Sequence, residues 1–315
     1  MTPLILELLL LAILTFLLLT FGWKRGFFSL PPSENWFFPI RAYHVILFFG
    51  IYFFVAALVS PFLILCLKKF GVQFPSIAAA VWINFLSSLT ILLLFGISIA
   101  FLSKNITQPI WRQKKEGNLF SDLKFGALAW LISFPLVIFC NQFFEVILHE
   151  LLHFPIIPEQ LAVRFLKMTF EEPLYFFLTS LTIAIFAPLI EETLFRGFLQ
   201  SFIRQHLSVN QSILITAFCF SLFHYSPEQG IGNLSIITSL FILALFLGYL
   251  YDRRQSLAAP IALHAIFNTI NIANLYFFGE FPMLGSNHFF SQICKICLSS
   301  ILYIFRARVL QGFDL

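Results

Sequence analysis

The chain has 315 residues, of which 59% are apolar and 11% charged, with a mean hydropathy of +0.91 and a formal net charge of +4. A soluble domain carries about 25% charged residues, so a soluble globular protein is excluded, and so small a net charge gives no basis for nucleic-acid binding. The cysteines are odd in number, and Cys66, Cys140 and Cys219 lie in apolar runs, which speaks against a disulfide framework.

Hydropathy predicts an all-α polytopic transmembrane helix bundle of roughly nine spans, over 3–22, 43–67, 77–102, 123–148, 174–200, 211–224, 235–251, 257–278 and 289–305. The first run has no basic residue before it and no small-residue cleavage site after it. It therefore reads as a retained helix and not a secretory signal. Lys24 and Arg25, then Lys104, Arg112, Lys114 and Lys115, then Arg204, Arg253, Arg254, Arg306 and Arg308 alternate onto one side. Positive residues mark the cytoplasmic face, which puts the N-terminus outside; Lys68 and Lys69 break the pattern. The protein is thus expected to be a multi-pass integral membrane protein, in the cell (inner) membrane if bacterial.

The segment 149–173 reads as an interfacial linker. Pro155 and Pro158 precede an amphipathic stretch from Glu159 to Lys167, with an acid early and a base late, which suits a short helix at the outer surface. The run 211–224 is too short to cross. At 1.5 Å per residue it reaches only about 20 Å deep, so His224 should end within the membrane, facing a loop that needs a wet or protein-lined cavity. Cys294-x-x-Cys297 has redox or metal spacing but stands in the last apolar segment without a second pair.

Polar side chains at membrane depth are costly and mark candidate functional sites. In the fifth predicted span, Glu192 and Arg196 are spaced i, i+4 with the acid first, the favoured order for an ion pair. Glu191 points elsewhere, and a second adjacent carboxylate has no structural use. It is a candidate general base. Pro188 should kink this helix and free carbonyls one turn earlier. Phe220-x-x-x-His224 is weak alone among 44 Phe. His264 and Asn268 share one helical face about 10 Å from the cytoplasmic end of their helix, with Asn271 a turn beyond, and could aim donors at a developing oxyanion. Since Glu191 lies near mid-depth, the cavity is expected to take water from the cytoplasmic side.

The run Pro188-Leu-Ile-Glu-Glu-Thr-Leu-Phe-Arg-Gly197, the helix end at His224, Gly248-Tyr-Leu-Tyr-x-Arg-Arg-x-Ser256 and Ala259-Pro-Ile-Ala-Leu-His-Ala-Ile-Phe-Asn268 together resemble the CPBP family. These are the CAAX prenyl endopeptidases and bacteriocin-processing membrane proteins, also called the Abi family. The resemblance implies a protease working inside the bilayer on a membrane-associated peptide or protein, including CAAX-type C-terminal processing. By it, Glu191 and His224 would activate a water, His264 and Asn268 would form the oxyanion hole, and Glu192 and Arg196 would shape the site. It leaves open whether the enzyme is of the glutamate type or a metalloendopeptidase using a divalent metal such as zinc. The chain then divides into N-terminal helices of unassigned role at 1–148, the linker at 149–173, a catalytic bundle at 174–278 and a C-terminal helix and tail at 279–315.

Two alternatives stand beside this reading. One is a non-enzymatic immunity or transport protein that uses the polar cluster structurally. The other is a zincin-type metalloprotease at His149-Glu150-Leu-Leu-His153, which fits the H-E-x-x-H pattern. Against the second, the prolines that follow should end the helix both histidines need, and the third ligand is unassigned among Glu171, Glu172 and Glu191.

Overall fold

The computed structural model describes residues 3–30, 39–73, 76–111, 118–154 and 157–278, all helices and connections with no strand among them. Six helices are long and apolar enough to cross a membrane among the described residues. The protein is an integral membrane protein. The expected nine spans are not all found. The run 211–224 forms a 15-residue helix, too short to count, and Ala258–Phe278, broken by His and Asn, is a helix that falls outside the six. The expected 289–305 span and the Cys294–Cys297 pair lie outside the described residues.

In chain order the helices are α1 (Pro3–Lys24), α2 (Ala42–Lys69), α3 (Ile77–Phe101), α4 (Lys104–Trp111), α5 (Leu119–Leu151), α6 (Leu161–Lys167), α7 (Pro173–Ile203), α8 (Val209–Phe223), α9 (Asn233–Arg254) and α10 (Ala258–Phe278). Their starts are written in the sequence. Ser76 caps α3 by accepting from the Ala79 amide at 3.2 Å, and Asn118 caps α5 through the Ser121 amide at 2.6 Å. Ser208 and Gln211 form a capping box on α8. The α9 helix stops where Gln255 turns left-handed at φ +53.

Two apolar cores hold the bundle. One joins α1, α5, α9 and α10 around Leu11, Trp130, Leu247 and Phe267; the other joins α2, α3, α7 and α8 around Phe48, Phe95, Phe198 and Phe220. The α5–α10 approach is close enough to require glycine. A Cβ on Gly126 would stand 2.7 Å from the Ala259 carbonyl oxygen and 2.8 Å from the Ala262 Cβ.

The bundle has two chemically distinct ends. At one, Arg254 pairs with Asp122 at 2.7 Å, Arg204 with Asp252 at 3.3 Å, and Tyr249 donates to the Phe27 carbonyl beside Lys24 and Arg25. Gln205 donates to the carbonyl of Ile40, next to Arg41, and Leu257 to that of Trp111, at the end of α4. This is the basic face. At the other end stand Glu150, Glu159, Glu171, Glu172 and Glu228, with Arg164 and Lys167 paired to two of them and Lys68 and Lys69 at the tip of α2. This is the acidic face. Among the described residues, the basic clusters expected on one side share one face, with Lys68 and Lys69 on the other; Arg112, Lys114, Lys115, Arg306 and Arg308 lie outside the described residues.

Candidate active site

The site forms around an irregular stretch of α7. Residues Thr182–Phe186 and Thr193–Gln200 run as π-helix, with one regular turn and a half, Ala187–Glu192, between them. Pro188 explains the first. Having no N–H, it leaves a carbonyl one turn back without its usual donor. The Ala187 amide already reaches Thr182 O in the i→i+5 pattern, so the next donor in that register, for Ile183 O, would be the proline. Asn268 fills the gap: its Nδ2 donates to Ile183 O at 2.9 Å. The expected kink is therefore a π-turn, and its orphan carbonyl is what Asn268 holds. One amide hydrogen of Asn268 remains for the cavity it lines.

The wider turns deliver Glu191 and Glu192 to two different surroundings. Glu192 is fully buried. Its Oε1 receives Arg196 Nη1 at 3.1 Å and His264 Nδ1 at 2.8 Å. Arg196, also fully buried, donates from Nη2 to Ala244 O at 3.1 Å and lies over the Phe220 ring at 4.6 Å. This buried pair is hydrogen-bonded and stacked, as a charge pair at such depth must be. Phe220, unremarkable in sequence, thus does two things. Its ring faces the guanidinium, and its carbonyl receives His224 Nδ1 at 2.9 Å.

Glu191 stands apart from that network. Its Oε2 is buried and has no hydrogen-bond partner among the described residues. It faces His224 Nε2 at 3.8 Å and His264 Nε2 at 3.9 Å. These distances exceed a direct hydrogen bond, which leaves room for a water to contact both groups from the cavity side. A carbonyl only accepts, so His224 carries its proton on Nδ1 and, when neutral, turns the Nε2 lone pair towards Glu191; this tautomer follows from the hydrogen bond. Two acceptors facing one point would take both hydrogens of a water and leave its lone pair outward. That is the geometry of a poised nucleophile.

All six candidate residues are therefore brought together, from α7, the end of α8, and α10. Glu191, His224, His264 and Asn268 line a cavity of about 320 Å³, within the usual range for ligand sites. Its other walls were not singled out by sequence reasoning: Asn141 and Glu145 of α5, Glu159 and Gln160 before α6, and Ser239 of α9. The signal was available for the first two, since Asn141-Gln-x-x-Glu145 puts amides and an acid inside an apolar span. Asn141 Nδ2 donates to Glu145 Oε1 at 2.8 Å. Nothing local marked the 157–166 segment as a wall; only its folding back places it there.

The cavity overturns one expectation. It extends from Glu191 towards the acidic face, where Glu159 and Gln160 are part-exposed, and its lining includes no residue of the basic face. On the basic side the way is closed by buried Glu192, Arg196, Gln200, Ser201 and Tyr251, with Ser201 and Tyr251 hydroxyls 2.9 Å apart.

The His149 motif lacks the arrangement that its spacing would need for a metal centre. Helix α5 ends in a π-turn at Ile147–Leu151, and His153 lies beyond it with left-handed backbone, φ +56. The two histidines consequently share no helical face. His149 meets Glu150 at 3.4 Å, with both side chains about half exposed at 43% and 53%. Among the described residues, no group of three or more His, Cys, Asp or Glu side chains is placed to hold a metal ion, the Glu191 cluster included.

Residues 173–270 match the family model described as Type II CAAX prenyl endopeptidase Rce1-like. That segment runs from the start of α7 into α10, spans all six candidate residues, and agrees with the CPBP resemblance read from the motifs. No curated protein and no solved structure matches the chain.

Proposed function

We propose that this protein is an intramembrane endopeptidase that hydrolyses a peptide bond of a membrane-associated protein or peptide, with a water activated by Glu191 and His224. The observation that carries this is the convergence of the partnerless Glu191 Oε2 on two imidazole nitrogens at 3.8 and 3.9 Å, at the inner end of a cavity. The family description of residues 173–270 names a prenyl endopeptidase and supports the same reaction class.

The water's oxygen adds to the scissile carbonyl carbon while Glu191 takes its proton, with His224 Nε2 holding the second hydrogen. The resulting oxyanion needs donors. Asn268 offers its remaining amide hydrogen, and His264 offers Nε2–H in its imidazolium form. Glu192 Oε1, on Nδ1 of that ring at 2.8 Å, fixes the ring and balances its charge. Collapse breaks the C–N bond, and Glu191 returns its proton to the leaving amine. Arg196 touches no substrate; it holds Glu192 in place through the 3.1 Å bond.

Purified protein in proteoliposomes, given a library of membrane peptides, tests this. Glu191→Ala and His224→Ala should each abolish cleavage while the protein stays monodisperse. Near-normal turnover in either would sink the assignment. A parallel assay with chelator separates the two protease types: full activity is expected for water held by Glu191 and His224 alone, and loss restored by one divalent metal would assign the site to a metalloenzyme.

A further inference from the structure

We infer that Gln229 and Asn233 are positioning residues for the reaction: together they fix the backbone of His224 and so aim its Nε2 at the water beside Glu191. The inference deepens the endopeptidase reading and rests on it.

His224 stands where α8 stops, at φ −93 and ψ 3, with its ring tied through Nδ1 to the Phe220 carbonyl. A ring held at one nitrogen moves with its own Cα, so Nε2 is aimed only as well as the backbone of His224 is fixed. Carbonyls at a helix end have no partner within the helix, and irregular backbone at membrane depth must find donors inside the protein. Gln229 supplies the donor for His224 O, from Nε2 at 3.2 Å.

Gln229 is itself held. Its Nε2 also donates to Asn233 Oδ1 at 3.2 Å, which uses both amide hydrogens. Asn233, at the start of α9, then closes the loop on itself. Its Oδ1 accepts the Ser226 amide at 3.1 Å, and its Nδ2 donates to Ser226 O at 2.7 Å and to Gly230 O at 3.0 Å. Every donor and acceptor position of that side chain is in use. The chain between turns through Gly230 at φ +46, a conformation open to glycine. The far side of the loop is pinned as well, since a Cβ on Gly232 would collide with Pro158 O.

Three features point past loop packing to positioning. Gln229 and Asn233 are buried, at 1% and 7% exposure, and neither is among the residues that line the cavity, so neither meets substrate. The chain of bonds nevertheless ends on the carbonyl of His224, the residue whose ring faces Glu191 Oε2 at 3.8 Å. Gln229 also holds its orientation while its Oε1 is buried without a partner among the described residues. Turning that amide over would set oxygen against the two oxygens that Nε2 now serves, so the direction is fixed.

Ring-labelled histidine gives a readout that needs no turnover. Nitrogen NMR of the purified protein in detergent reports the His224 ring, identified by its absence in His224→Ala. Gln229→Met keeps the volume and removes the donor. Shown first to elute like the parent, it should shift or broaden the His224 signals. It should also lower kcat between about 10- and 100-fold with KM within about twofold, as for a misplaced reacting group. Asn233→Asp keeps the acceptor and loses both donations; it should act in the same direction, and it serves where Gln229→Met does not fold. Gln205→Met deletes a comparable amide-to-carbonyl bond at the basic face and should leave both readouts unchanged. Unmoved His224 signals in Gln229→Met overturn the inference, whatever the rate. So do moved signals with parental kcat, equal losses in Gln205→Met, or failure of both loop variants to fold, since each assigns the two amides to stability alone. If the parent cleaves nothing while the signals move as expected, the protease reading fails and the bracing of His224 stands.

Discussion

The chain holds two constellations of histidine and glutamate, and they fare differently. His149, Glu150 and His153 are contiguous and match a metal-binding pattern, yet they end up half-exposed at a helix end, with His153 in a left-handed turn. Glu191, His224 and His264 are spread over 74 positions of sequence numbering, 264 less 191 with both ends counted, and converge within 4 Å of one carboxylate oxygen. Spacing alone would favour the first. What separates them is support. In the second set His224 is held by the Phe220 carbonyl and His264 by Glu192, itself paired with Arg196, so both imidazoles are fixed in direction beside Glu191. Preorganised groups act on a transition state without reorganisation cost, and a frayed helix end offers no such restraint.

Glu191 should carry the largest effect. Glu191→Gln keeps the shape and removes the base, and cleavage should fall by at least about 10³-fold. Combined with His224→Ala the loss should be little greater, since the two act on one water; multiplicative losses in steady-state rates would separate their roles.

Asn268→Ala should cost about 10²-fold in kcat for one lost oxyanion donor. It also leaves Ile183 O buried without a donor, worth about 1–3 kcal/mol of stability. A fall in kcat with an unchanged thermal midpoint would show that Asn268 does not brace the π-turn.

Arg196→Lys sharpens the supporting role. The point charge can still face Glu192, but it loses the fork that also reaches Ala244 O and the planar face on Phe220. Expected is a loss of kcat of about tenfold with KM nearly unchanged, as for a group that acts through Glu192 and His264. A rise in KM alone would move Arg196 into substrate binding.

At the small end, His149→Ala with His153→Ala should leave turnover within about twofold of the parent, because exposed groups away from caps and cores contribute little. Inactivity of that folded double variant, with loss of a stoichiometric zinc measured in the parent, would reverse the comparison.

Much of the site is legible in the amino-acid sequence. The intramembrane polar residues mark it because nothing apolar surrounding them can satisfy a carboxylate, so they must meet one another. The shortness of α8 likewise announces a histidine stranded at depth. The wall residues Asn141 and Glu145 meet the same criterion, but no motif surrounds them to draw them into the site.

The amino-acid sequence alone marks the chain as a helical membrane protein and singles out the six polar side chains that the fold brings together. Composition and period decide solvent and secondary structure, and the cost of burying charge decides who must pair. Only the tertiary structure decided which way the cavity runs. A depth counted in residues places His264 near the basic face, but whether that route is open depends on packing between α7 and α9, where Gln200 and Tyr251 fill the space. The same holds for the π-turns of α7. Proline announces a missing donor, but whether the helix kinks or widens depends on who supplies the replacement, and here it is Asn268, 85 residues away in the chain.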